Sequence, residues 1–259
     1  MNKIVTGCWS VILLIAFSPF LSSAQDSTKS PDKWHIILEP YLMMPNMHGT
    51  CGLGTLPDAE VDEDPGDIFS HVQIGAMLYM ELYKGPWAIS SDFTYMRLGE
   101  DIVGKNGILS GEATMKQLGW EVAVLRKLKP WLEAGLALQL NSIGADLDLL
   151  INTSGSTQQR SRSLTETWAD PSFVARIKTP LSQNHKWLFQ FRGNIGGFGI
   201  GSDLYWQLQA YFGYRFSKLF LLSAGYRVIG VDYEKGSGED RFKYDMTTFG
   251  PVVRLGFNF

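Results

Sequence analysis

From Trp34 to Phe259 the chain alternates. Apolar side chains fall on one parity and polar, small or charged ones on the other, in about ten separate segments of strand length. The last ten residues, GPVVRLGFNF, show the pattern plainly. Pro251, Val253, Leu255, Phe257 and Phe259 share one parity, and Gly250, Val252, Arg254, Gly256 and Asn258 share the other. A period of two specifies strands, and each strand then has one apolar face to bury in a core or turn to lipid.

The segments are residues 34–43, 72–82, 87–98, 113–125, 131–143, 164–178, 187–197, 203–216, 219–233 and 242–259. Their connections alternate in length. Those at 84–86, 127–130, 182–186 and 217–218 are tight; those at 45–70, 99–112, 144–163 and 234–241 are longer, and only 199–202 breaks the trend. Such asymmetry marks an outer-membrane barrel with short periplasmic turns and long external loops. A secreted antiparallel sandwich explains the alternation but not the strand number, the loop asymmetry and the aromatic terminus together. The expected fold is therefore all-β: a closed antiparallel transmembrane β-barrel of about ten strands, preceded by a signal peptide. No later stretch is apolar enough for a helical span.

The first residues read as an export signal. Lys3 supplies a positive start, residues 11–17 an apolar core, and Ser22-Ser23-Ala24 a small-residue cleavage site. The expected organisation is signal peptide 1–24, linker 25–32 and barrel 33–259, with a retained anchor as the other reading. Cleavage removes Cys8 and leaves Cys51 alone, so no internal disulfide is expected. A net charge of −3 gives no basic excess for nucleic acid.

With no compact interior to enter, the apolar faces are expected to meet lipid. A barrel leaves no backbone group unpaired, so the last strand closes on the first. Trp87, Trp131, Trp187, Phe257 and Phe259 lie near strand ends, where aromatic girdles form.

The inward parity carries charge. Glu39, Glu81, Asp92, Glu121, Glu133, Glu166 and Asp170 fall in the first six segments; Arg176, Arg192, Arg215, Arg227 and Arg254 fall in the last five. In a narrow barrel these long side chains should meet across the lumen. Unpaired buried charge is costly, so an occluding network of ion pairs is favoured over a gated, charge-selective pore.

The first long connection holds Asp58, Glu60, Asp62, Glu63, Asp64 and Asp67 without a Lys or Arg. Asp58, Glu60, Asp62 and Asp64 are weak metal candidates, because Glu63 and Phe69 stand where a calcium loop needs its turn glycine and final glutamate. A solvated acidic loop is the expectation, and no cofactor is expected. The glycines of residues 196–201 have no βαβ context for a nucleotide and suit a sharp strand tip or bulge. His48 and His71 flank the acidic stretch, but no nucleophile motif accompanies them. Lys105, Arg160, Arg162, Arg241 and Lys243 fall in or near external loops, within reach of lipid headgroups.

With these residues in view, the chain resembles Gram-negative outer-membrane β-barrel proteins. Its end, with Phe257 and Phe259, is similar to the signal such proteins present to the barrel assembly machinery. The resemblance implies location in the cell outer membrane, with outer-membrane lipids, the assembly machinery and periplasmic chaperones as partners. The second half resembles a poorly characterised barrel family. The resemblance rests on Trp168-Ala169-Asp170-Pro171, the run from Gly196 to Trp206, Gly225-Tyr226-Arg227, Asp232-Tyr233 and Gly250-Pro251. That family implies an exported barrel and no established reaction. The expected function is structural or that of a narrow, porin-like solute conduit, without enzymatic activity. An outer-membrane hydrolase of lipid or peptide at the external rim, or a surface adhesion protein, is the alternative.

Overall fold

Alternating segments pair into one continuous wall. The computed structural model describes residues 33–103, 109–153 and 156–259; the expected signal peptide, the linker, Cys8 and Lys105 lie outside the described residues. Among the described residues twelve strands form a single antiparallel sheet. They are β1 (His35–Met43), β2 (Asn46–Leu53), β3 (Ala59–Glu63), β4 (Val72–Lys84), β5 (Trp87–Val103), β6 (Leu109–Lys129), β7 (Leu132–Thr153), β8 (Ser156–Pro180), β9 (Trp187–Gly197), β10 (Leu204–Arg215), β11 (Phe220–Lys235) and β12 (Phe242–Asn258).

All but β2 and β3 close into a 10-strand barrel. Closure runs through β1 and β12, where Leu38 faces Phe257 and Tyr41 faces Arg254. Ile36 and Phe259 exchange two backbone hydrogen bonds, of 3.1 and 2.8 Å, so the ladder continues to the last residue. The β4–β5 connection is the two-residue turn Gly85-Pro86, in which Gly85 takes the positive φ of 57° that tight hairpins favour.

Three of the long connections are not loops. Residues 99–103, 109–112, 144–153 and 156–163 are strand, so that β6, β7 and β8 reach 21, 22 and 25 residues, well beyond the roughly 9–11 that span a bilayer. Residues 45–70 hold the β2–β3 hairpin and a short helix, α1 (Pro65–His71), capped by Asp64. Strand β2 is β1 resumed after a break at Met44 and Pro45. Both run beside β12, β1 along its last residues and β2 along residues 242–249. At the break the Met44 carbonyl comes so close that a Cβ on Gly250 would lie 1.9 Å from it. Met44 N–H donates to the Pro251 carbonyl at 3.0 Å.

The outer wall is apolar. Leu136 and Phe173 are each 62% exposed and Phe212 is 56% exposed, all on outward parity. Trp34, Trp87, Trp131 and Trp187 are exposed at the short-turn end of the barrel, and Phe259 joins them there. So the expected girdle gathers at one end, where tryptophan suits a headgroup boundary. Inside, the largest fully buried side chains include Arg176, Arg192 and Arg254. The protein is inside out relative to a water-soluble domain.

Candidate functional site

Four arginines on β8, β9, β11 and β12 reach from their side of the lumen toward acids carried by β1 and β4 to β7. Arg176 Nη2 donates to Glu81 Oε1 at 3.1 Å, its Nη1 also bonds the same carboxylate, and its Nε donates to Glu133 at 2.7 Å. Lys178 adds a contact of 3.0 Å to Glu81. Arg192 pairs with Glu121, which also accepts from Asn194 at 2.6 Å. Arg227 lies 3.3 Å from Asp92, and Tyr41 donates to Asp92 at 2.6 Å while accepting from Arg227 at 2.8 Å. Arg254 contacts Glu39 at 3.3 Å and Asp92 at 3.8 Å. The guanidinium of Arg254 also stands within 5.0 Å of the ring centroids of Tyr41, Tyr79 and Tyr211. Each arginine is buried, so charge is balanced inside the tube rather than by solvent.

Three of the charges expected in this network stand elsewhere. Arg215 is the last residue of β10, half-buried at the mouth, with no side-chain ion pair among the described residues. Glu166 lies near the middle of β8, ten residues from Arg176, and accepts from Tyr233 at 2.9 Å and Lys235 at 2.7 Å. Among the described residues Asp170 meets no arginine. It accepts from Trp168 Nε1 at 3.1 Å, Asn141 at 3.0 Å, Ser202 N at 2.6 Å and Ser202 Oγ at 3.0 Å.

This last cluster gives the resembling motifs a physical role. Above Ser172, β8 has no ladder partner on the β9 side, because β9 ends at Gly197. Asp170 clasps the β9–β10 turn onto that free edge through Ser202. Two glycines here leave no room for a side chain: a Cβ on Gly201 of the turn would lie 2.4 Å from the Ala169 carbonyl, and one on Gly196 of β9 2.3 Å from that of Pro171. Trp168 continues inward and stacks on Tyr233, ring centroids 4.1 Å apart.

Toward the end opposite the short turns the inner wall changes character. Along β11 the inward residues run Arg227, Ile229, Val231, Tyr233; along β5 they run Asp92, Thr94, Met96, Leu98. Met47, Ile143, Trp168, Tyr205, Tyr244 and Met246 complete an apolar cluster above the charges. Reading the whole inner parity as polar missed this. The signal was present, since Met77, Met96 and Met115 already stood on inward parity.

The weak metal candidates are dispersed by structure. Asp58 is held by Arg241 at 2.6 Å and Lys243 at 3.2 Å. Glu60 and Asp62 lie in β3 opposite Thr50 and His48, and Asp64 caps α1 by accepting from Asp67 N at 2.9 Å. Among the described residues no three His, Cys, Asp or Glu side chains stand together as a metal site. His48 lies 3.6 Å from Asp62 on the exposed hairpin, and His71 bonds its own helix at the Asp67 carbonyl, 2.8 Å away.

An apolar exterior, a closed ladder and an internally paired lumen define a transmembrane β-barrel of the bacterial outer-membrane type. No protein-family model matches the chain, and no curated protein matches it in sequence. Among solved structures it is similar to the outer membrane protease OmpT from Escherichia coli, at 6% identity over 90% of this chain and 99% of that one, TM-score 0.41. It is also similar to Ail, the attachment invasion locus protein of Yersinia pestis, at 11% identity over 87% and 98%, TM-score 0.36. The Pseudomonas putida toluene transporter TodX follows at 8% identity over 89% and 91%, TM-score 0.35. Likeness of this degree carries no argument about what the chain binds or does.

Proposed function

We propose that the protein is an occluded outer-membrane barrel with a structural role, its lumen held shut by cross-wall ion pairs. The observation that carries this reading is Arg176. It is fully buried, and it ties β8 to Glu81 on β4, across the tube, while also holding Glu133 on β7. Opening a water path there would separate charges that are matched in place, and burying either one unmatched is strongly unfavourable.

Planar-bilayer recording of the refolded barrel tests it. The wild-type protein is expected to give no stepwise conductance. Arg176→Ala, which leaves Glu133 without its partner and Glu81 with Lys178 as its remaining cation, is expected to admit water and ions. Stepwise conductance from the wild type would replace occlusion with a narrow conduit.

A further inference from the structure

Between the charged network and the aromatic stack of Trp168 on Tyr233 lies a cavity of about 90 Å³. Five of the chain's nine methionines line it: Met43, Met47, Met77, Met96 and Met246. Methionine is unbranched and polarisable, and it adapts its shape to what it packs against. Apolar cavities of about 150 Å³ hold benzene; this space is about two-fifths smaller, and its methionines must shift to admit a one-ring molecule, which their unbranched, flexible side chains allow.

One polar group at the floor is left unmatched. Gln207 lines the cavity and is fully buried. Its Oε1 accepts from Arg227 Nε at 2.9 Å and Nη2 at 2.6 Å, which fixes which end of the amide faces the arginine. Its Nε2 has no hydrogen-bond partner among the described residues. A buried N–H without an acceptor is unfavourable, because it has given up water and gained nothing in return. The charge of Arg227 is already matched by Asp92, so the floor offers a neutral donor and no spare positive charge.

We propose that this cavity is a binding site for a small neutral molecule. The ligand has an apolar body of one-ring or short-alkyl size and a single hydrogen-bond acceptor, such as a ketone, ester or ether oxygen. The body packs among the methionines and the acceptor takes the Gln207 Nε2–H. A carboxylate is disfavoured because the Asp92 charge already answers Arg227. The inference is independent of whether the network below conducts.

Methyl-13C methionine NMR of the barrel in lipid nanodiscs tests it, with two probes. Acetophenone has an acceptor and no hydroxyl donor; isopropylbenzene has a similar shape and no acceptor. Acetophenone is expected to shift the methyls of Met43, Met77, Met96 and Met246 saturably. Met80, on the lipid side, should move only in proportion to probe dissolved in the bilayer. At matched free concentration acetophenone should bind about fivefold more tightly than isopropylbenzene, the worth of one neutral hydrogen bond. Gln207→Glu keeps an oxygen for Arg227 and removes the donor, so it should abolish that preference. Met246→Trp fills the space and should abolish binding of both probes. Each variant is first checked for the heat-sensitive gel migration of a folded barrel. If either fails that check, the two-probe comparison on the wild type decides. Unsaturable shifts shared with Met80, equal affinity for the two probes in the wild type, or a preference that survives Gln207→Glu would each overturn the assignment.

Discussion

The guanidinium of Arg254 lies 4.2 Å from the ring centroid of Tyr211, with Tyr41 and Tyr79 each at 5.0 Å. A planar, delocalised cation suits three ring faces in a way that an ammonium does not. Arg254→Lys should therefore destabilise the barrel by about 1–2 kcal/mol although charge is kept. Arg254→Ala should cost more, approaching the roughly 3–5 kcal/mol of a broken buried pair. Urea unfolding in lipid vesicles reads both; a lysine variant equal to wild type would mean that the cage contributes only charge.

Asp170 gathers four hydrogen bonds to hold the β9–β10 turn on the edge of β8. Asp170→Asn turns one acceptor into a donor facing other donors. The expected loss is about 2 kcal/mol. It should be local: the Ser202 amide should lose hydrogen-exchange protection while Leu125, in the short-turn half, keeps its own. Unchanged protection at Ser202 would argue against a clasp.

In the β2–β3 turn, hydrogen bonds from Arg241 and Lys243 hold the Asp58 carboxyl at about 2, below its ordinary 3.8. A depressed carboxyl pKa stabilises the fold above the unfolded value, and the contribution disappears as pH falls through the folded one. The tip of the β2–β3 hairpin should therefore loosen between about pH 4 and pH 2. The protection factor of Gly54 N–H, which donates to the Arg241 carbonyl at 2.7 Å, reports it. Asp58→Asn should make that factor flat across the same range. A fall identical in the variant would assign the effect to another group.

Orientation follows from the turns. A protease site inserted at Leu56, in the exposed β2–β3 turn, should be cut on intact cells. One inserted at Gly85, in the two-residue turn at the tryptophan end, should be protected. The opposite pattern would invert every assignment of inside and outside.

The barrel strands were readable because alternation with an outward apolar face is a local property, and the 34–43 and 242–259 segments show it over their whole length. Parity likewise put Glu81, Asp92, Glu121 and the arginines on the inner wall. Which acid meets which arginine was not readable, since Arg192 reaches Glu121 and Arg227 reaches Asp92 only through the stagger of the closed sheet. The β2–β3 hairpin was missed because Met47, Gly49 and Cys51 make a faint apolar face beside His48 and Thr50. Density of acid in β3 then read as loop. Asp170 looked like another luminal charge; its partner Ser202 lies 32 residues away in a turn whose position depends on where β9 ends.

Strand lengths around the wall are unequal: β8 has 25 residues and its neighbour β9 only 11. At about 3.3 Å per residue, the wall steps down by roughly 45 Å of strand between them. The molecule therefore has a front and a back. Anything drifting along the membrane surface meets a tall screen from the β7 side and a low sill from the β9–β10 side. Its angular heading in the plane of the membrane becomes a physical variable, one that a symmetric cylinder does not possess.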